Sequence, residues 1–166
     1  HILGYFYHLF LNIQHFCNST HANVALRSTN RNVPSRATVV SQATNRALDA
    51  GGANGAEAYM HPHRNPHNNF HLWNFQRVGD DYMIISQATG RALDSGGANG
   101  AEAYMHPQPM PHNPFHLWRL QKVGDAYMII SKATGRVLDS GGANGEKVYM
   151  HPQPMSHNPF HLWKLI

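Results

Sequence analysis

The stretch LDSGGANGEKVYMHPQPMSHNPFHLW, residues Leu138 to Trp163, decides the fold because the chain contains it in three versions. Leu93 to Trp118 reads LDSGGANGAEAYMHPQPMPHNPFHLW, and Leu48 to Trp73 reads LDAGGANGAEAYMHPHRNPHNNFHLW. Equivalent residues lie 45 positions apart, as in Asp49, Asp94 and Asp139 and in Trp73, Trp118 and Trp163. A fixed period indicates one supersecondary unit built three times. We therefore expect any function of the repeats to occur three times.

The composition favours a small all-β domain whose repeats bind an uncharged ligand or none. The chain has 166 residues, enough for one domain with a buried core, and only 13% of them are charged. The formal net charge is +4, but from Ala37 onward ten Lys or Arg oppose nine Asp or Glu. A nucleic-acid-binding protein needs a basic face, which these repeats lack. We therefore expect no nucleic-acid partner.

The first 36 residues match none of the repeats and are interpreted as a leader or linker that packs loosely or stays disordered, rather than as a functional anchor. The segment His1 to Cys17 has the composition of a signal-peptide core but lacks an initiating Met and a basic leading region. It is too short and too polar for a membrane span, so no membrane insertion is expected. Asn18 begins a glycosylation sequon, which has meaning only in a secreted protein. Cys17 is the only cysteine, so the chain forms no internal disulfide.

The repeats, about residues 37–77, 78–122 and 123–166, predict four short strands each. In the third copy we expect strands at Tyr127 to Ser131, Arg136 to Asp139, Lys147 to His151 and Phe160 to Leu165. The turn between the first two strands carries Asn45, Gly90 or Gly135, the residue types that best adopt a positive φ. Twelve strands, no helix and threefold symmetry predict a closed barrel capped by hairpins.

The pattern resembles the ricin-B-type (R-type) β-trefoil lectins, and among them the actinohivin-like lectins with nearly identical repeats. The residues that carry the resemblance are the Leu-Asp pairs, the x-Tyr-x-x-Pro turns and the closing Trp of each copy; the turns run from Tyr59 to Pro62, Tyr104 to Pro107 and Tyr149 to Pro152. It covers residues 38–166. The resemblance implies a β-trefoil that binds galactose or N-acetylgalactosamine, with mannose as the second choice.

The copies depart from the family pattern at three places. The family's closing Gln-x-Trp is His-Leu-Trp here, with His71, His116 and His161 in the Gln position. The residue before it, where the family often has a sugar-binding Asn or Tyr, is Phe70, Phe115 or Phe160. The aromatic platform expected two residues after the turn tyrosine is a histidine.

Each copy offers four candidate sugar-binding residues. A sugar needs hydrogen-bond acceptors for its hydroxyl groups and a flat side chain for its C–H face. We assign the acceptor to the Asp, one contact to the Tyr, the flat wall to the His and a second polar contact to a loop Asn. The residues are Asp49, Tyr59, His61 and Asn68; Asp94, Tyr104, His106 and Asn113; and Asp139, Tyr149, His151 and Asn158.

Each assignment has a structural alternative. The Asp could instead cap the Gly-Gly turn, the Tyr could be a core residue, and the His and Asn could have plain loop roles. We place the Asp in a surface loop, so that Asp94→Ala or Asp139→Ala would abolish one site without unfolding the domain. We expect the first site to be the weakest, because Asn69 replaces a proline of the other copies and the first copy lacks the Val-Gly-Asp hairpin that precedes them.

The core is expected to contain the repeated apolar residues. Met60, Met105 and Met150 alternate with the tyrosines and should point inward. We assign the three Trp, the three Phe that precede His-Leu-Trp and the Ile-Ile pairs of the second and third copies to a central plug. The His of each His-Leu-Trp should hydrogen-bond a nearby backbone group, as the family's Gln does.

Metal binding and catalysis are not expected. The histidines of each copy, such as His106, His112 and His116, have neither helical nor tight-loop spacing, and no cysteine joins them. No repeat signals the paired carboxylates of a glycosidase, and no nucleophile or phosphate-binding motif is present. We therefore expect a multivalent lectin without a cofactor, in an oligomeric state the sequence leaves open. The alternative is a structural or protein-binding, inhibitor-like trefoil whose sugar sites are lost.

Overall fold

The computed structural model describes residues 33–166, which form a β-trefoil and confirm the predicted fold class. The leader with Cys17 and the sequon at Asn18 lies outside the described residues. Arg36, which the sequence places in the linker, instead begins the first strand and pairs with Asn74.

Thirteen strands occur within residues 33–166. They are β1 (Arg36–Ala37), β2 (Val39–Ser41), β3 (Ala47–Gly52), β4 (Glu57–His61), β5 (Trp73–Val78), β6 (Asp81–Ser86), β7 (Ala92–Gly97), β8 (Glu102–His106), β9 (Trp118–Val123), β10 (Ala126–Ser131), β11 (Val137–Gly142), β12 (Lys147–His151) and β13 (Trp163–Leu165). Strands β2 to β13 are the twelve predicted strands, and β1 is an addition. No helix in this part of the chain is long and apolar enough to cross a membrane.

Three strand pairs form the barrel. Two are hairpins, β5–β6 and β9–β10, whose turns contain Gly79 and Gly124 at positive φ. The third pair joins the two ends of the domain, because β2 pairs with β13 with Val39 opposite Leu165. Further pairings, β6–β9 and β10–β13, connect these units. The barrel therefore closes where β2 pairs with β13. The second and third copies are each preceded by a barrel hairpin, and the first copy is not.

The remaining strands form three cap hairpins, β3–β4, β7–β8 and β11–β12. In each one the repeat Asp lies opposite the repeat Tyr, and a register shift follows between the Asp and the second Gly. A 3₁₀ turn of sequence Ala-Asn-Gly connects the two strands (Ala53–Gly55, Ala98–Gly100 and Ala143–Gly145). The hairpins are linked in a ring, because the amides of Met60, Met105 and Met150 donate to the carbonyls of Glu146, Ala56 and Ala101.

The core is built from equivalent residues of the three copies. The three Trp are fully buried, and each indole N–H donates to the carbonyl of the repeat Leu at 3.0 Å. The three repeat Met are 1% exposed, which confirms that they point inward. Of the Ile-Ile pairs, Ile84 and Ile129 join the main core, Ile130 joins a smaller cluster and Ile85 is half-buried.

The assignment of the repeat Phe to the core is wrong. Phe70, Phe115 and Phe160 are 40%, 37% and 37% exposed. The fourth strand begins at the Trp, so the Phe lies before it in a 3₁₀ turn (Asn69–His71, Pro114–His116 or Pro159–His161). In this turn the His side chain is directed inward and the Phe side chain faces solvent.

Candidate functional site

The Asp139 carboxylate lies at the centre of the third candidate site. It belongs to β11 and is 3% exposed, so its placement in a surface loop is wrong. Oδ1 accepts a hydrogen bond from the Gly141 amide at 2.7 Å, as the turn-capping alternative required. Oδ2 accepts from the Tyr149 hydroxyl at 3.0 Å and lies 2.8 Å from His161 Nε2. The carboxylate therefore fixes the turn, the neighbouring strand and the closing segment together.

The carboxylate still has capacity for one ligand hydroxyl. An ionised carboxylate offers about four lone-pair positions, and three of them are used by the donors around Asp139. The remaining position belongs to Oδ1, which has a single protein donor. Asp139 can thus hold the protein together and accept one further hydrogen bond.

The position of the proton on His161 is set by its two shortest hydrogen bonds. Its Nδ1 accepts the Met155 amide at 3.0 Å, so in the neutral ring Nε2 carries the proton and donates to Asp139. The backbone partner expected from the sequence is confirmed, whereas the bond to Asp139 was missed. In every copy the Asp and the His are 22 residues apart in sequence, but this constant spacing does not show that the two side chains are in contact. Burial lowers the pKa of His161, although the nearby Asp139 carboxylate opposes this shift.

The predicted tyrosine and histidine lie beside the carboxylate. Tyr149 is half-buried, and burial together with its hydrogen bond to Asp139 raises the pKa of its hydroxyl. The His151 ring centroid lies 4.8 Å from that of His161. Its Nδ1 is held by the Gln153 backbone, with the carbonyl at 2.9 Å and the amide at 3.1 Å. The ring nitrogen left to meet a ligand is Nε2.

Asn158 has a clear local role. Its side-chain oxygen accepts the Phe160 amide at 3.0 Å and caps the 3₁₀ turn Pro159–His161. Asn68 and Asn113 cap the equivalent turns in the same way. The Asn therefore orients the segment that carries the exposed Phe and the buried His.

Phe160 is the site residue that sequence reasoning missed. A Cβ placed on Gly141 would lie 3.0 Å from Asp139 Oδ1 and 3.2 Å from Phe160 Cδ1. The exposed ring and the acceptor oxygen therefore flank the same glycine. The family resemblance could have identified it, because the family often has a sugar-contacting residue at the position of Phe160. The sequence instead predicts a core position for this apolar residue near Trp163.

The same arrangement occurs in the first and second copies. The bond between His Nε2 and Asp Oδ2 is 2.8 Å in all three, and the bond from the Gly amide to Asp Oδ1 is 2.7 Å in all three. Gly51 and Gly96 are flanked by Asp Oδ1 and Phe Cδ1 at the same two distances as Gly141. Burial, together with the Asp, also raises the pKa of Tyr59 and Tyr104.

These residues also have the side-chain types of a metal site. In each copy, one atom from the Asp and one from each of two His lie within 4.8 Å of one another: Asp49, His61 and His71; Asp94, His106 and His116; Asp139, His151 and His161. However, a metal on His161 Nε2 would force the ring proton onto Nδ1, where it would face the Met155 amide. The hydrogen bonds therefore fit a protonated network better than a metal centre.

The fold and these sites define a β-trefoil with one carboxylate and one exposed aromatic ring per repeat. Residues 69–151, half of the chain, match the family model described as ricin-type beta-trefoil lectin domain-like. The chain belongs to this family. No curated protein matches the sequence.

Solved structures with the same fold include a designed protein and natural lectins. The designed threefold-symmetric protein ThreeFoil has a TM-score of 0.66 and 17% identity over 80% of this chain and 99% of its own. The Macrolepiota procera ricin B-like lectin, solved with lactose, has a TM-score of 0.66 and 16% identity over 80% and 96%. SeviL, solved with the asialo-GM1 saccharide, has a TM-score of 0.63 and 15% identity over 81% and 98%. The family supports carbohydrate binding in general.

Proposed function

We propose that the protein is a multivalent lectin with three equivalent sites for galactose or N-acetylgalactosamine. The observation that carries this proposal is the exposed Phe beside a carboxylate oxygen with one free lone-pair position, repeated in all three copies. An exposed aromatic ring and a hydrogen-bond acceptor are the two groups a sugar needs. The repeat Tyr and His complete each site, while the repeat Asn acts through the turn it caps.

A galactose-type sugar matches this pair of groups. Its axial 4-hydroxyl leaves one ring face as a continuous C–H patch, which can stack on Phe160, while a hydroxyl at the edge donates to Asp139 Oδ1. His151 Nε2 is a further polar group available to the sugar. The lactose bound to the fungal lectin contains galactose, which supports this choice over mannose.

The test removes the exposed Phe ring and leaves the buried hydrogen bonds of the Asp and the His unchanged. Phe160→Ala should weaken galactose binding at one site about fivefold, because a stacked aromatic contributes on the order of 1 kcal/mol. The variant Phe70→Ala/Phe115→Ala/Phe160→Ala should bind no galactose by isothermal titration calorimetry. Ile166→Ala is the matched control, since Ile166 is also an exposed large apolar residue, 57% exposed, and lies outside the sites.

The same variants separate this function from its alternative. A folded wild-type protein that binds no glycan on an array would overturn the proposal and favour a protein-binding trefoil. Glycan binding that survives the triple Phe change would place the sugar elsewhere on the domain.

A further inference from the structure

A cavity of about 330 Å³ lies where the three cap hairpins meet, and of the site residues described above only the repeat Tyr line it. Its lining contains the same position from each copy, so it surrounds the pseudo-threefold axis. The wall includes the half-buried rings of Tyr59, Tyr104 and Tyr149. The floor is apolar and consists of Ala58, Ala103 and Val148, which pack on the main core.

The charged residues of this axial cavity break the threefold symmetry. Two copies contribute Glu57 and Glu102, and the third contributes Lys147 at the equivalent position. All three side chains are exposed. The ion pairs found within residues 33–166 do not include any of them, so the two carboxylates and the ammonium group are not committed to one another.

We propose that the axial cavity binds a small zwitterion. Its ammonium group lies between Glu57 and Glu102 against the tyrosine rings, and its anionic group pairs with Lys147. Aromatic faces and carboxylates together favour an organic ammonium ion, and an ammonium side chain forms charge-assisted hydrogen bonds with an anion. Three identical Glu would favour a plain cation, so Lys147 is the residue that selects a zwitterion. This inference does not rest on the proposed sugar sites.

Phosphocholine is the probe, and the full chain is titrated with it by calorimetry. Wild-type protein should bind phosphocholine more tightly than choline or inorganic phosphate. Lys147→Glu restores the residue of the other two copies; it should weaken phosphocholine binding about tenfold or more, since a charge-assisted bond is lost, and strengthen choline binding. Glu57→Gln should weaken both ligands.

The matched control is Glu146→Ala. Glu146 neighbours Lys147 but does not line the cavity, and the other copies have Ala at this position. This variant should retain wild-type phosphocholine affinity. Phosphatidylcholine vesicles form a second arm: co-sedimentation would identify a lipid headgroup as the source, and binding of soluble phosphocholine alone would identify a free small molecule.

The experiments distinguish failure of the zwitterion proposal from failure of the proposed sugar sites. The proposal is overturned if millimolar phosphocholine produces no heat, or if Lys147→Glu leaves both affinities unchanged. Galactose binding should be the same in wild type, Lys147→Glu and Glu146→Ala, because these residues lie outside the three Asp and Phe groups.

Discussion

At the scale of single residues, Asp139 combines structural and binding roles. Its carboxylate connects three segments through the Gly141 amide, the Tyr149 hydroxyl and His161. The sequence favours a surface acceptor, whereas the structure buries the side chain to 4% exposure. A change at this residue therefore alters stability as well as any ligand contact, which makes Phe160 the cleaner probe of function.

Asp139→Ala should lower the free energy of unfolding by about 3 kcal/mol, because it leaves the buried His161 donor and the half-buried Tyr149 donor without their acceptor. Urea denaturation measures this loss. Phe160→Ala is the comparison and should cost less than about 1 kcal/mol, since the ring lies at the surface and outside the core. A stable Asp139→Ala protein would show that the carboxylate is not needed to hold the closing segment.

The stability of the domain should fall as the pH decreases below about 6.5, the unperturbed pKa of histidine. Burial lowers the pKa of His161 in the folded protein, so the unfolded chain binds more protons than the folded one in that range. The extra proton would also have to lie on Nδ1, which faces the Met155 amide. Urea midpoints at pH 7.5 and 5.5 measure the slope.

His161→Gln is the variant that isolates this effect, because Gln is the family's residue at this position and does not titrate. It should reduce the loss of stability between the two pH values. An equal loss in His161→Gln and wild type would assign the pH dependence to other groups.

At the scale of elements, small differences between the copies create natural comparisons. Ser140 on β11 hydrogen-bonds Ser41 on β2 at 2.6 Å, and Ser95 on β7 hydrogen-bonds Ser131 on β10 at 2.6 Å. The third equivalent pair is Ala50 on β3 and Ser86 on β6, where no such bond forms. Two of the three cap hairpins thus have a buried hydroxyl link to the barrel that the first lacks.

Ala50→Ser should raise the free energy of unfolding by about 1 kcal/mol, the net value of one intramolecular hydrogen bond. The backbone at this position already accommodates Ser in the other copies. Ser95→Ala and Ser140→Ala are the reciprocal controls and should each lower stability in the same urea experiment. A destabilised Ala50→Ser protein would mean that the fully buried Ala50 site has no room for the hydroxyl group.

At the scale of the whole molecule, threefold repetition converts weak sites into a multivalent surface. A shallow site with one acceptor and one aromatic ring should bind a monosaccharide near millimolar, about −4 kcal/mol. Sites around a threefold axis cannot share one small glycan, but they can engage a glycan-coated surface, where avidity rises by ~10² or more.

Agglutination of galactose-bearing cells should therefore depend on the number of intact sites. Single Phe→Ala variants should still agglutinate at higher protein concentration, and double variants, with one site left, should not. Calorimetry should still detect the remaining site in the double variants. Agglutination by a double variant would indicate that the chain associates with itself.

The sequence by itself determined the repeated architecture. The 45-residue period, the turn glycines and the alternation of Met with Tyr predicted a threefold closed barrel capped by hairpins with Trp and Met inside, and the resemblance implied that this barrel is a β-trefoil. The strand Lys147–His151 has the predicted ends. These features are local or periodic, so they can be read along the chain. The family resemblance likewise located the Asp, Tyr and His that the fold brings together.

Only the tertiary structure decided which groups are buried and which face solvent. Asp139 and His161 are 22 residues apart and meet because the closing segment folds back over the cap hairpin. Phe160 and Trp163 are both large aromatic residues, but a 3₁₀ turn capped by Asn158 exposes the first, and the start of β13 buries the second. Burial depends on contacts between distant segments, and residue type alone does not specify those contacts.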